Sequence, residues 1–192
     1  MQSVSFTRME DGTVEDYALL AREEERLKTA TFADNVLNLL KTLEGPKLGY
    51  KIDRYQHSLQ TATRAERDGA EEEVVVAALL HDIGDTLAPD NHAEFAATLL
   101  KPYVTQRTWW IVQYHGIFQG YYFWHHLGGD RDAREQHRGH PHFEACADFC
   151  AKWDQTAFDP DYDTAALHHF EPMVRRLLDR EPWKLWKDTA AA

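Results

Sequence analysis

The sequence has only two cysteines, no long apolar run and fewer basic than acidic residues, and each shortage removes a class of protein. Cys146 and Cys150 are spaced for one face of a helix. They read as buried small side chains rather than as a disulfide, which a reducing compartment would not maintain. No apolar stretch approaches the ~20 residues of a membrane-spanning helix. The opening MQSVSFTRMEDG has no apolar signal-peptide core, so the expected location is cytoplasmic. Lys and Arg number 21 against 32 Asp and Glu, a formal net charge of −11. Nucleic acid and anionic membranes both attract a basic excess, so neither is expected as a partner. A small-molecule substrate stays open, because a local basic pocket can coexist with an acidic surface. Internal repeats, low-complexity linkers and convincing period-two strand segments are also missing.

What is present is helical. The 192 residues suggest one domain, long enough to bury a sizeable core, and 43% hydrophobic with 28% charged residues is ordinary for a soluble globular protein. Residues 14–43 read as a helix, with Phe32, Val36, Leu39, Leu40 and Leu43 on one stripe. Gly45, Pro46 and Gly49 break it. A second helix is expected from about Asp53 to Gly69. A third, EEEVVVAALLHDIG, opens with carboxylates that suit a helix N-terminus. A fourth follows a cap at Asp90 or Asn91 and ends near Pro102. TQRTWWIVQYHGIF gives a fifth, HFEACADFCAKWDQ a sixth and HHFEPMVRRLLDR the last. GGDRDAREQHRGHPH reads as a polar loop. The fold class is all-α.

The chain carries 11 histidines, an excess that needs a use. Imidazole and carboxylate suit iron, manganese and zinc. The candidates at or just past helix ends are His57, His81, Asp82, His92, His115 and Asp154. Facing helices of a bundle can build a two-metal site from such groups. A lone buried histidine is more often a hydrogen-bonded core residue. The tandem His81–Asp82 after VVVAALL is different, because two adjacent buried polar groups are hard to satisfy without a charge between them.

The order H…HD…H…H…D, met here by His57, His81–Asp82, His92, His115 and Asp154, resembles the HD-domain pattern over about residues 50–163. The inserted His92 and His115 match the version that holds two metals. The stretch YQHSLQTATRAERDGAEEEVVVAALLHDIGD resembles the small HD-domain diiron oxygenases that cleave organophosphonates, relatives of myo-inositol oxygenase. The resemblance implies a single HD-domain helical bundle over residues 1–192. Residues 1–45 would be an N-terminal helical extension packed on the core, and residues 50–163 the metal-binding core. It implies a mixed-valent Fe(II)/Fe(III) pair with Asp82 bridging. His57, His81 and Asp154 would hold one iron, His92 and His115 the other. With O2 as co-substrate, such enzymes convert a 1-hydroxyphosphonate into a carboxylic acid and phosphate. A hydroxylase supplying the 1-hydroxyphosphonate would be a pathway partner.

Some members carry Tyr-x-x-Glu before the first histidine, the tyrosine capping an iron until substrate displaces it. Tyr50 and Asp53 in YKID stand in those places, with Asp for Glu and a shorter distance to His57. The plain alternative is a packed loop tyrosine and an N-cap aspartate. Members that take a primary amine have a histidine after HDxG and a lysine after the fourth histidine. Asp85 and Gln119 stand there in this chain, so the anion site must be built differently. Arg131, Arg134 and Arg138 offer guanidinium forks for phosphonate oxygens, unless they simply belong to a solvated loop.

Aromatics crowd residues 109–124 around His115. Most would be core; a minority facing the cavity, with Asp85 nearby, would suit a quaternary ammonium. The expected substrate is 1-hydroxy-2-(trimethylammonio)ethylphosphonate, giving glycine betaine. The HRGHPH trio has no place in the ligand order and reads as loop and supporting residues. The alternative function is a metal-dependent HD phosphohydrolase acting on a phosphate ester or nucleotide, which the same six ligands would serve. A non-catalytic HD module would need broken ligands, and all six are present.

Overall fold

The computed structural model describes residues 3–190. Among them no strand occurs, and eight α-helices carry the fold. The chain forms two compact units, one up to Val36 and one from Leu37 onward; helix α1 (Val14–Lys41) runs through the boundary.

In the first unit, Thr13 and Asp16 start α1 with a reciprocal capping box. The Asp16 amide donates to Thr13 Oγ1 (3.2 Å), and the Thr13 amide donates to Asp16 Oδ2 (3.1 Å). Ser5 adds its amide and hydroxyl to the same carboxylate at 2.9 and 2.8 Å. These bonds, led by the Ser5 amide, lower the Asp16 pKa to about 2.

The second unit is built around α3 (Glu72–Leu80), whose residues from Glu73 onward are all buried. A helix buried all round must be apolar all round, as VVVAALL is. Helix α2 (Arg54–Arg67) packs on α3. Helix α4 (His92–Leu100) packs on α5 (Gln106–Phe123), and α5 packs on α6 (Phe143–Phe149). The α2 and α5 termini are capped by Asp53, accepting from the Gln56 amide, and Thr105, accepting from the Thr108 amide. Glu73 joins three elements: it accepts from the Thr105 amide (2.9 Å) and hydroxyl (2.8 Å) and pairs with Arg180, beyond α7 (Leu167–Leu178).

Five features differ from the sequence expectation. Helix α3 stops at Leu80, and residues 81–88 continue as tight turns, closed by bonds such as Asp85 N to Asp82 O (2.9 Å). Helix α5 extends five residues past Phe118. The sixth helix is two pieces: α6, then a π-helix over Cys150–Asp154, closed by Gln155 N donating to Cys150 O at 3.0 Å. The polar loop contains a short 3-10 turn, Ala133–His137, and the sequence reading missed α8 (Lys184–Ala190). No helix among the described residues is long and apolar enough to cross a membrane.

Candidate metal centre

Each ligand candidate reaches the middle of the second unit from a different element. His57 comes from the buried face of α2, and His81 and Asp82 from the turn that ends α3. His92 opens α4, His115 lies midway along α5, and Asp154 ends the π-helix. A π turn makes i→i+5 bonds and holds an extra residue, a feature frequent at functional sites.

The backbone fixes the imidazoles. His57 Nδ1 lies 2.9 Å from the Ala157 carbonyl, His81 Nδ1 2.8 Å from that of Ala78, and His115 Nδ1 2.7 Å from that of Val112. A carbonyl can only accept, so each Nδ1 carries the proton and each Nε2 keeps its lone pair. Those lone pairs converge. His57 Nε2 and His81 Nε2 are 3.3 Å apart. His57 Nε2 is 3.3 Å, and His81 Nε2 3.7 Å, from Asp154 Oδ1.

Asp82 divides its two oxygens between two groups. Oδ2 is 3.4 Å from both His57 Nε2 and His81 Nε2. Oδ1 is 3.2 Å from His115 Nε2 and 3.4 Å from His92 Nε2. Among the described residues, three donor groups have ligand atoms close enough to share an ion: His57–His81–Asp154, His81–Asp82–His115 and Asp82–Asp85–His92.

Lone pairs facing lone pairs and carboxylates repel unless a positive charge lies between them. Asp154 Oδ2 is buried with no hydrogen-bond partner, a costly state for an anionic oxygen. The electrostatics agree. Burial opposes charge on His81, but Asp82 and Asp154 outweigh it and raise its pKa to about 9, so without a metal a proton on Nε2 supplies the positive charge that these donors call for. Burial likewise opposes charge on Asp82 and Asp154, yet the surrounding imidazoles hold both well below the usual carboxylate range; His115 and Arg54 add to this at Asp82. The cluster attracts cations, and its nitrogen and oxygen donors fit a borderline metal such as iron.

A cavity of about 570 Å³ opens onto this cluster. Asp82, His92, His115 and Asp154 reach its wall, as do Tyr50, Tyr122, Phe123, Trp124 and Phe158. Phe158 stacks on His57 at 4.4 Å between ring centroids, and Tyr50 stacks on Phe158 at 5.0 Å. Gly120 and Gly129 make room for Trp124: a Cβ on Gly120 would fall 2.4 Å from the indole. Gln119 also lines the cavity and donates to Asp154 Oδ1 at 3.2 Å, leaving its own Oε1 buried without a partner.

Other sequence expectations fall elsewhere. Asp53 is not a companion of Tyr50 at the metals; its carboxylate caps α2 and accepts from the Gly45 amide. Arg131, Arg134 and Arg138 are absent from the cavity wall. Arg131 and Arg134 place their guanidiniums 4.2 and 3.7 Å from the Tyr121 ring centroid. Arg138 lies over Phe143 and pairs with Glu135 and Glu144. The loop turns them onto aromatic faces of α5 and α6 because flat guanidiniums stack well there. His137 and His140 likewise pack on Trp110, and His140 stacks at 4.2 Å, so they support the aromatic core rather than the ligands. Trp110 and Phe118 are core. Cys146 and Cys150 are free and buried, their thiols facing the Ile111 and His115 carbonyls.

Asp85 is also not where a ligand ammonium would meet it. Its Oδ2 accepts from Arg54 Nε at 2.6 Å, and its Oδ1 lies 3.2 Å from His92 Nδ1. It therefore orients the His92 imidazole, as carboxylates behind metal-bound imidazoles do. Arg54 is the cavity arginine that sequence reasoning missed. The signal was available: it falls three residues before His57, on the same helix face.

An all-α bundle holding a histidine–carboxylate cluster in this order is an HD domain. Residues 54–137 match the family model for the HD domain. The chain is 30% identical over 164 residues to the [1-hydroxy-2-(trimethylamino)ethyl]phosphonate dioxygenase (glycine-betaine-forming) of Leisingera caerulea, covering 69% of this chain and 83% of that relative. The chain belongs to the HD-domain family, in the organophosphonate-oxygenase group that its sequence resembles. Asp154 lies outside the matched HD segment, so the π-helix supplies a donor from beyond it.

Proposed function

We propose that the protein is a diiron oxygenase that cleaves the C–P bond of a 1-hydroxyphosphonate, with 1-hydroxy-2-(trimethylammonio)ethylphosphonate as its preferred substrate. The observation that carries the two-metal reading is the division of Asp82, one oxygen toward His57 and His81 and the other toward His92 and His115. Asp82 would bridge; His57, His81 and Asp154 would hold one iron, and His92 and His115 the other. Bound there as Fe(II)/Fe(III), the irons supply activation of O2 and Lewis acidity toward the substrate's oxygens. The relative's activity supports the direction of the chemistry.

The overall balance closes with O2 alone. The C–P bond breaks and the hydroxyl-bearing carbon is oxidised to a carboxylate. Of the two added oxygen atoms, one ends in the carboxylate and one in phosphate. The 1-hydroxyl must already be present, so an upstream hydroxylase is the expected source of substrate.

The chain's own residues bind and orient. A trimethylammonium group cannot donate an N–H bond, so it favours aromatic faces. Tyr50, Tyr122, Phe123, Trp124 and Phe158 offer them in the cavity wall. Tyr50 is half exposed and stacks on Phe158, itself on His57, so it would serve as one of the aromatic faces at the cavity wall. Gln119 holds Asp154 and leaves a carbonyl oxygen without a partner beside it.

The test is turnover by iron-loaded protein. Expected is O2 uptake matched by release of phosphate and glycine betaine, with the trimethylammonium substrate preferred over its primary-amine analogue. Hydrolysis of phosphate esters at enzyme-like rates without O2 would replace this reading with the phosphohydrolase. Preference for the primary amine would remove the quaternary-ammonium specificity alone.

A further inference from the structure

We infer that Arg54 is the anion anchor of the cavity, receiving an acidic oxygen of the substrate, and that Asp85 is the brace that aims it. The inference rests on the phosphonate reading above and names the residue that would meet the phosphonate.

Three observations carry it. Arg54 reaches the cavity wall from the first turn of α2, where the three loop arginines do not. Its side chain is 24% exposed, so part of the guanidinium faces the open space. Its fork is only partly used. Nε donates to Asp85 at 2.6 Å, whereas Nη1 stands 3.6 Å from Asp82 Oδ2, an ion-pair distance too long for a hydrogen bond. A guanidinium has five N–H donors, and the Asp85 bond fixes the plane of the other four. Burial works against its charge, but Asp82 and Asp85 hold it firmly protonated.

The charge pattern explains why a single arginine would matter. Asp82, Asp85 and Asp154 crowd the region, and a phosphonate approaching on that side would meet carboxylates first. Arg54 sits between two of them, beside the oxygen of Asp82 that faces His57 and His81. It offers the planar, two-pronged donor that suits a tetrahedral oxyanion. The same bridge links anion recognition to His92, because Asp85 holds both the guanidinium and the His92 imidazole.

The experiment uses the metal-loaded full chain and two probes, methylphosphonate for the anion site and tetramethylammonium for the aromatic wall, each titrated calorimetrically. Metal content is measured alongside. Arg54→Gln is expected to weaken methylphosphonate by about tenfold or more, with tetramethylammonium unchanged and two metals retained. Arg54→Lys, which keeps the charge but loses the fork, should weaken methylphosphonate by a smaller factor. Methylphosphonate affinity unchanged in both variants overturns the inference while leaving the phosphonate reading intact. Loss of metal with equal weakening of both probes also overturns it, since Arg54 would then only brace the site. A wild-type protein that binds tetramethylammonium but no methylphosphonate overturns the phosphonate reading and the inference together.

Discussion

The two sides of Asp82 are built differently. On one side His57, His81 and Asp154 are almost wholly buried, and carbonyls of Ala157 and Ala78 lock the two imidazoles. On the other side only His115 is buried. His92 is 24% exposed, opens a helix whose Asn91 cap makes no side-chain bond, and shares its Nδ1 between the Pro89 carbonyl (3.3 Å) and Asp85 (3.2 Å). The enclosed side is held by core packing, the open side by a short turn and one carboxylate. Regions with fewer buried contacts open at lower free-energy cost, so under the two-metal proposal the open side is the expected route for metal exchange and ligand entry.

The largest effect should come from removing what the two sides share. Asp82→Ala is expected to drop metal content well below two per chain and abolish turnover, read by metal analysis and O2 uptake. Two metals and normal turnover in that variant would remove the whole assignment.

A substitution at Gly84 would separate the sides. A Cβ there would lie 2.9 Å from the Cα and carbonyl oxygen of His92. Real Cβ atoms do not come so close to backbone, so the turn and α4 must part. Gly84→Ala should lose about one metal equivalent while the His57 side keeps its own. Equal loss from both sides would erase the contrast.

Asp85→Asn should act more mildly and on the open side only. The asparagine can still accept from Arg54 but no longer matches the His92 imidazole with a full charge. Carboxylates behind metal-bound histidines are worth about 10–100-fold in metal affinity. About tenfold weaker binding of the second metal equivalent, with the first unchanged, is the expected titration result.

The smallest effect lies outside the centre. Asp16 has its pKa lowered in the folded chain, so the stability it lends is present above the ordinary value near 3.8 and is lost as pH falls through about 2. Amide exchange around residues 5–16 should rise in that acid window, and Asp16→Asn should flatten the change. Acid-independent protection there would discard the capping account.

The sequence made the convergence of the candidate ligands legible for a physical reason. Adjacent His81 and Asp82 after an apolar helix cannot be buried without a compensating charge, and the remaining donors follow in order along the chain. What it left unreadable depended on tertiary direction. The loop arginines looked well placed beside the last ligand helix, but Tyr121 and Phe143 offer them flat partners away from the cavity. Arg54 sits in an ordinary amphipathic helix, where its local signal was the three-residue spacing to His57, which names a shared face but not the cavity that the face borders. Asp85 read as a cation's partner because its two actual partners lie 31 residues before it and seven after. Helix α8 was missed since its entry depends on Trp183 at φ 66°, unusual for a bulky residue, anchored by its amide to the Pro102 carbonyl at 2.7 Å.

The π-helix before Asp154 has a consequence for how the chain tolerates length changes. An α-helix turns roughly 100° per residue, so one residue more or fewer swings every following side chain by more than a quarter turn. The Cys150–Asp154 segment holds one residue beyond the α-helical count. Deleting a single residue from it would leave a smoother helix with better-aligned backbone bonds, yet carry the carboxylate away from His57 and His81. The irregular turn works as a register key: one codon lost would improve the helix and break the centre.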